Sequence, residues 1–165
     1  MRHTASILVC CLLLAFAAAF PKDASAAAKA PAFELTSLQG QDLSLQDLTE
    51  GRHALLIFWT TWCPSCRQTM PEVNQLASEY SSDDLAVLGI NAGWNDSPQQ
   101  AQQFKDKHDL GFPIAFDEAS RISKKYRLRG VPTLFLVDPQ GTILYQSYSV
   151  NEQLLQMLNE MASEE

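Results

Sequence analysis

The chain has 165 residues, and its 46% hydrophobic share supplies enough apolar side chains for one packed domain. Its 7 glycines and 8 prolines are ordinary counts, which exclude a collagen-like or low-complexity chain. The formal net charge of -7 argues against a nucleic-acid partner held through its phosphates. Four cysteines are too few for a disulfide-rich scaffold.

The N-terminal segment has the pattern of a secretory signal peptide. Arg2 precedes an uncharged apolar run from Ala5 to Phe20, and Ala24 and Ala26 are small residues where signal peptidase accepts them. We therefore predict a signal peptide at residues 1–26 and export into an oxidising compartment, the periplasm. The alternative is a retained N-terminal membrane anchor, for which the apolar run is short.

The remaining sequence predicts one domain, residues 33–165, behind a flexible lead-in at residues 27–32. Short apolar and polar alternation from Ala32 to Leu38 and from Gln41 to Leu45 predicts a small N-terminal hairpin. The continuous apolar run from Ala54 to Trp59 is typical of a central strand that is covered on both faces.

Two helices and a second buried strand follow. Residues Pro64 to Tyr80 carry apolar side chains at helical spacing, and Leu85 to Ile90 form another continuous apolar run. Ser97 is a favourable N-cap for a helix from Pro98 to His108, with proline at its first position. This order of helix, strand and helix is typical of an α/β domain.

The C-terminal part predicts a strand and a helix, then a hairpin and a last helix. The predicted ranges are Phe112–Phe116, Glu118–Tyr126, Thr133–Val137 and Thr142–Tyr148 around the turn Asp138–Gly141, and a helix capped by Asn151 that ends at Met161. The alternation of strands and helices predicts an α/β fold with helices on both faces of the sheet.

Once the predicted signal peptide is removed, Cys63 and Cys66 are the only cysteines left. The motif Trp62-Cys63-Pro64-Ser65-Cys66 lies at the junction of a predicted buried strand and a helix. Backbone N–H groups at a helix N-terminus stabilise a thiolate, so Cys63 should be more acidic than a free cysteine. Cys66 lies one turn further on. The spacing predicts an exposed attacking sulfur at Cys63 and a shielded resolving sulfur at Cys66.

A structural disulfide and a zinc site are the alternatives for this pair. A bridge that closes so short a loop removes little entropy from the unfolded chain, so it would stabilise the fold poorly. A zinc site needs two more ligands, and the histidines that remain, His53 and His108, lie in unrelated segments. The pattern therefore favours thiol–disulfide chemistry without a metal.

From about Phe33 onward, the chain resembles the thioredoxin superfamily, and within it the exported TlpA/ResA/DsbE branch. The segment Phe58–Cys66 (FWTTWCPSC) is similar to the branch signature FWATWCxxC, and Pro71 matches the proline of the active-site helix. Gly130–Leu134 matches the cis-proline loop, and Leu85–Phe116 resembles the central insert. The resemblance implies a thioredoxin-like fold, a mixed β-sheet flanked by helices with an N-terminal hairpin and a central insert.

The resemblance also implies roles for residues around the cysteine pair. Pro132 is expected to follow a cis peptide bond and to pack beside the two sulfurs. The backbone of Val131 is then expected to pair with an extended substrate chain. The residues expected to complete the substrate-binding surface are Trp62, Pro64 and Ser65.

Members of this branch reduce specific disulfides of exported proteins, often in apocytochrome c maturation, and a membrane thiol transporter recharges them. By resemblance, we expect this chain to reduce disulfide-bearing client proteins in the periplasm, as a monomer and without a cofactor. The uncharged Pro64-Ser65 pair favours a reducing protein, because strong oxidants stabilise the thiolate further, commonly with a histidine there. A dithiol oxidase and a Cu(I)-binding chaperone that uses the same cysteines are the alternatives.

The sequence differs from its relatives at the positions where they carry proton-transferring acidic residues. Ile57 stands where thioredoxins carry a buried acid, and Trp94 stands where the ResA-like branch often has a glutamate. Asp96 is the candidate proton relay, and a helix-capping role is its alternative. A separate basic run precedes the predicted cis-proline loop, and it is either a solvated helix face or a docking patch for an acidic partner. That run consists of Arg121, Lys124, Lys125, Arg127 and Arg129.

Overall fold

The computed structural model describes residues 28–163, so the predicted signal peptide, residues 1–26, lies outside the described residues. The elements run in the order β1 (Glu34–Thr36), β2 (Asp42–Ser44), α1 (Leu45–Thr49), β3 (His53–Trp59), α2 (Pro64–Glu79), β4 (Leu85–Asn91), α3 (Pro98–Lys107), β5 (Ile114–Phe116), a 3-10 turn (Glu118–Ser120), α4 (Arg121–Lys125), β6 (Thr133–Val137), β7 (Ile143–Ser147) and α5 (Glu152–Ser163).

The main sheet is mixed, with the strand order β5-β4-β3-β6-β7. β3 pairs in parallel with β4 and antiparallel with β6, while β7 runs antiparallel beside β6. The predicted α/β class is therefore confirmed, and β3 occupies the middle of the sheet. Within the described residues, no helix combines the length and the apolar character needed to cross a membrane.

Helices cover both faces of this sheet, and the side chains of β3 alternate between two cores. Leu55, Ile57 and Trp59 belong to the core beneath α2, α3 and α5. Leu56 and Phe58 belong to the opposite core, which the N-terminal hairpin, α1 and α4 cover. This double coverage explains why β3 reads as an unbroken apolar run rather than as an alternating one.

The N-terminal hairpin is confirmed, because β1 and β2 pair antiparallel. α1 is an additional helix that the sequence pattern does not predict, and it begins where β2 ends. Ser44 caps it by accepting a hydrogen bond from the backbone N–H of Asp47 at 3.1 Å. A helix of 5 residues is too short to show a periodic apolar pattern, although Leu45 and Leu48 are both buried in the core.

Residues 28–30, within the predicted lead-in at residues 27–32, make backbone contacts with the rest of the fold. Lys29 forms a bridge with Thr142, and the N–H of Ile143 donates to the carbonyl oxygen of Ala28 at 2.8 Å. The N–H of Ala30 donates to the carbonyl oxygen of Gly141 at 2.9 Å, and the Ala30 side chain is buried. The segment forms an isolated bridge beside the β6–β7 hairpin, a long-range pairing that its composition does not reveal.

The predicted helix at residues 118–126 is broken into a 3-10 turn and α4. Ala119 and Ser120 have φ angles of 55° and 53°, which belong to the left-handed region and interrupt a helix. The buried carboxylate of Asp117 accepts hydrogen bonds from the N–H groups of Ile122 and Ser123 at 2.9 and 2.7 Å. Asp117 therefore starts α4 from several residues away, which the sequence pattern did not indicate.

Gly93, in the loop after β4, is expected to tolerate no side chain. Its φ angle is +69°, and a Cβ atom there would lie 2.6 Å from the backbone oxygen of Asp117. We predict that Gly93→Ala lowers the free energy of unfolding by about 1–3 kcal/mol, measured by urea denaturation. Gly111→Ala is the matched control, since the nearest atom to its Cβ would lie at an ordinary 3.7 Å. Equal stability of the two variants would contradict the prediction.

Candidate active site

The cysteine pair lies where the central strand leads into a helix. β3 ends at Trp59 and α2 begins at Pro64, so Cys63 is the N-cap residue of α2. Cys63 and Cys66 are joined as a disulfide, and their Cα atoms are 5.2 Å apart. Because β3 is the middle strand, the pair sits at one end of the sheet near its centre.

The start of α2 favours negative charge on the sulfur of Cys63. Its Sγ accepts a hydrogen bond from the backbone N–H of Cys66 at 3.1 Å. Pro64 occupies the first turn, and no acidic residue in that turn opposes the positive end of the helix dipole. In the reduced protein, these amide groups stabilise a thiolate at Cys63.

Cys63 is more shielded than the spacing alone predicts, while Cys66 is buried as predicted. Cys63 is only 3% exposed and Cys66 is 0% exposed, so the expectation of an exposed Cys63 is wrong in degree. The cause is close packing, since the Oγ atom of Ser65 lies 3.4 Å from the sulfur of Cys63 and the carbonyl oxygen of Val131 lies 3.5 Å from it. Cys66 belongs to the buried apolar cluster that also contains Ile57. Cys63 is thus the less buried of the two cysteines.

The loop before β6 lies directly against this pair. β6 runs antiparallel to β3, and Thr133 is opposite Phe58, so the preceding loop reaches the end of β3 that carries the cysteines. The Val131–Pro132 bond is cis, as predicted, and Pro132 is buried. The hydroxyl of Thr133 donates to the carbonyl oxygen of Gly130 at 2.7 Å, which holds the loop in place.

The two tryptophans that precede Cys63 have different environments. Trp62 is 47% exposed, yet its indole N–H donates to the carbonyl oxygen of Trp94 at 2.6 Å, which fixes the ring. Trp59 is fully buried and packs on Phe104, with the ring centroids 4.8 Å apart. Trp62 is thus a fixed aromatic surface next to Cys63, and Trp59 is a core residue.

Asp96 is the centre of a hydrogen-bond network behind the active-site loop. Its Oδ2 accepts from the N–H of Thr61 at 2.6 Å and from the side-chain amide of Asn91 at 2.8 Å. Its Oδ1 accepts from the hydroxyl of Thr61 at 2.8 Å and from the N–H of Ser97 at 3.1 Å. None of the hydrogen bonds within residues 28–163 joins Asp96 to a cysteine, so the structure does not bring this candidate relay onto the sulfurs.

Asp96 does not act as the helix cap either, which was the alternative role predicted for it. Ser97 is the N-cap of α3, and its hydroxyl oxygen accepts from the N–H of Gln100 at 3.2 Å. A second contact on the same loop was not predicted from the sequence: Arg67 Nε donates to the carbonyl oxygen of Thr61 at 3.1 Å. The arginine directly after Cys66 was the available signal for it.

Two of the five basic residues before the cis-proline loop make hydrogen bonds to backbone carbonyl groups of the same domain. Lys124 Nζ donates to the carbonyl oxygen of Ala119 and Lys125 Nζ to that of Ala32, both at 3.1 Å. α4 packs on the sheet face opposite α2, because Ile122 belongs to the other core.

Among residues 28–163, no group of three or more histidine, cysteine or acidic side chains is arranged to hold a metal ion.

Comparisons with known proteins agree with this geometry. Residues 26–146 match the model of the AhpC/TSA family. The thioredoxin-like protein YneN of Bacillus subtilis is 41% identical over 116 residues, which cover 70% of this chain and 66% of YneN. The thiol-disulfide oxidoreductase ResA of Halalkalibacterium halodurans is 32% identical over 143 residues, covering 86% of this chain and 80% of ResA.

A solved structure supports the same assignment. The crystal structure of StoA from Bacillus subtilis superimposes with a TM-score of 0.67 at 25% identity, covering 79% of this chain and 97% of StoA. The mixed sheet with flanking helices is therefore thioredoxin-like, as the sequence predicts. With its cysteine pair at the start of α2, this chain belongs to the AhpC/TSA family and is a thiol–disulfide oxidoreductase of thioredoxin-like fold.

Proposed function

We propose that the chain is exported to the periplasm, where it reduces specific disulfides of client proteins through Cys63 and Cys66. The observation that carries this proposal is the position of Cys63. Its sulfur accepts the N–H of Cys66 at 3.1 Å at the start of α2, beside the carbonyl oxygen of Val131. A thiolate at this point is stabilised by the helix and meets the incoming disulfide.

The reaction transfers two electrons from the cysteine pair to the substrate. The Cys63 thiolate attacks one sulfur of the substrate disulfide, so a mixed disulfide forms and the other substrate sulfur leaves as a thiolate that takes up a proton. Cys66 loses its proton and attacks the sulfur of Cys63. The second substrate thiolate is released and protonated, and the Cys63–Cys66 disulfide remains.

The Val131–Pro132 loop is the proposed docking edge for the substrate backbone. Within the described residues, the N–H of Val131 makes no hydrogen bond, and its carbonyl oxygen faces the sulfur of Cys63. An extended chain next to the loop can use both groups, as in strand addition. Exposed side chains at Trp62, Pro64 and Ser65 border the same edge.

The reducing direction rests on the chemistry of the motif. Pro64 and Ser65 place no charge between the cysteines, so thiolate stabilisation comes from the helix and from the Cys66 amide. We propose that a membrane thiol transporter returns electrons to the pair. By resemblance, cytochrome c maturation is the proposed process, with a disulfide-bearing apoprotein as the client.

The equilibrium potential of the cysteine pair tests the direction. We expect that equilibration with mixtures of reduced and oxidised glutathione gives a potential well below the roughly -120 mV of the oxidant DsbA. A value near that of DsbA would make the protein a dithiol oxidase. Stoichiometric, tight Cu(I) binding without disulfide reduction would instead identify a copper chaperone. The Cys66→Ser variant, which cannot form the internal disulfide, is the control for the redox signal.

A further inference from the structure

A groove of about 470 Å³ opens directly beside the motif, between the loop that carries Trp62 and helix α3. We call it the Trp62 groove. The residues that matter in it are Trp62, Arg67, Gln103, Phe104, Lys107 and His108. Because Trp62 precedes Cys63, any chain segment lying in the groove is within a few residues of the sulfur under attack.

The charge in this groove is opposite to that of the whole protein. The chain has a net charge of -7, yet the titratable side chains that line the Trp62 groove are Arg67, Lys107 and His108, with no acidic residue. By contrast, the groove beside the N-terminal hairpin is mostly acidic. Its charged lining residues are Glu34, Asp42, Asp47, Glu118 and Arg121. The groove next to the cysteine pair is therefore lined by basic side chains and by no acidic ones.

No acidic side chain lines the groove. The carboxylate of Asp96 already accepts four hydrogen bonds, two of them from Thr61. Asp106, on α3, accepts from the side-chain amide of Gln102 at 2.7 Å and does not line the groove. Lys105, the other lysine of α3, donates to the carbonyl oxygens of Leu110 and Phe112 and is also turned away.

Local contacts fix the groups that face the groove. The Nε–H of Arg67 donates to the carbonyl oxygen of Thr61, and within residues 28–163 its other N–H groups make no hydrogen bond. The imidazole of His108 packs on Phe104, with the ring centroids 4.2 Å apart. Trp62 is held by its hydrogen bond to Trp94. The groove thus presents a fixed aromatic ring and a guanidinium that can still bind a carboxylate.

We propose that the Trp62 groove binds an acidic segment of the client protein, next to the client cysteine that Cys63 attacks. This inference rests on the proposed function and adds a substrate class to it. Carboxylates of the segment pair with Arg67 and Lys107, and an apolar side chain of the segment packs on Trp62. Such pairing steers encounter and selects among clients more than it adds affinity.

Binding of synthetic peptides tests the groove apart from catalysis. Three peptides each carry serine in place of the target cysteine. They differ in the residues on either side of that serine, which are acidic in the first peptide, the corresponding uncharged amides in the second and basic in the third. We expect the oxidised protein to bind the acidic peptide about tenfold more tightly than the amide peptide at low salt, with the preference lost near 0.5 M salt. We expect Lys107→Glu to remove the preference and Lys107→Gln to reduce it. Lys124→Glu, the same charge change on the opposite sheet face, is expected to leave it unchanged.

The possible results test the groove proposal separately from the proposed reductase function. Equal binding of the three peptides, or a preference that survives Lys107→Glu, overturns the groove proposal. So does loss of the preference in Lys124→Glu alone, which would assign docking to the basic run around α4. Reduction of the corresponding disulfide peptides is measured in parallel. If no peptide is reduced but the acidic one binds as expected, the proposed function fails and the groove remains.

Discussion

Replacing Cys66 with serine is expected to trap client proteins as stable mixed disulfides on Cys63. The reason lies in the two positions. Cys63 faces the Val131 loop and retains some exposure, while Cys66 is fully buried one turn further along α2. Without the buried thiol nothing releases the mixed disulfide, so it accumulates instead of turning over. Disulfide-linked adducts are detected by non-reducing electrophoresis and identified by mass spectrometry.

The reciprocal variant, Cys63→Ser, is expected to give the largest loss of disulfide-reducing activity. Cys63→Ser is expected to lower disulfide reduction to the rate measured without protein and to trap nothing, because Cys66 is 0% exposed. Ser65→Ala is the matched control, since the Ser65 hydroxyl is 3.4 Å from the same sulfur but carries no exchange chemistry, and a change of at most a few-fold is expected. Adducts on Cys66 in the Cys63→Ser variant would show that the two roles are reversed.

The parts of the fold that the sequence predicts correctly are those encoded in local patterns. The apolar run of β3, the helical spacing of α2 and the Ser97 cap of α3 each lie within one short segment. The parts that the sequence analysis missed depend on distant partners. Residues 28–30 pair beside β7, where Lys29 forms a bridge with Thr142, 113 residues further along the chain. No short-range pattern records such contacts.

The same division holds for the active site. The motif with Cys63 and Cys66 can be predicted from the sequence, because its position at a helix start and its spacing define its chemistry. The exposure of Cys63 cannot be predicted in this way, since it depends on the Val131 loop, 68 residues further along the chain. The role of Asp96 depends in the same way on Thr61, which lies 35 residues earlier.

The geometry around Asp96 requires a carboxylate rather than an amide. Each of its two oxygens accepts a hydrogen bond from a backbone N–H, Oδ2 from Thr61 and Oδ1 from Ser97. A backbone N–H cannot reverse its direction. An asparagine in either orientation would therefore place its own NH2 group against one of these donors and leave that donor unsatisfied. We infer that Asp96 is a positioning residue, which holds the loop before Cys63 in place.

Asp96→Asn is accordingly expected to lower the free energy of unfolding by about 1–3 kcal/mol, and Asp96→Ala by somewhat more. Because Thr61 is two residues before Cys63, we also expect kcat/KM for disulfide reduction to fall about tenfold. Thr61→Val is the matched control, since it removes only the side-chain bond to Oδ1 and keeps the backbone bond to Oδ2. Its expected loss of stability is about 1 kcal/mol.

The thiol pKa values distinguish a positioning role from a proton relay. They are measured from the pH dependence of alkylation of each cysteine in the reduced protein. If Asp96 only positions the loop, Asp96→Asn lowers kcat/KM while the pKa of Cys66 stays where it is in the unsubstituted protein. If Asp96 exchanges protons with the pair, removing its charge lowers the pKa of Cys66, because a nearby carboxylate disfavours a thiolate. The absence of any hydrogen bond between Asp96 and either cysteine within the described residues favours the first result.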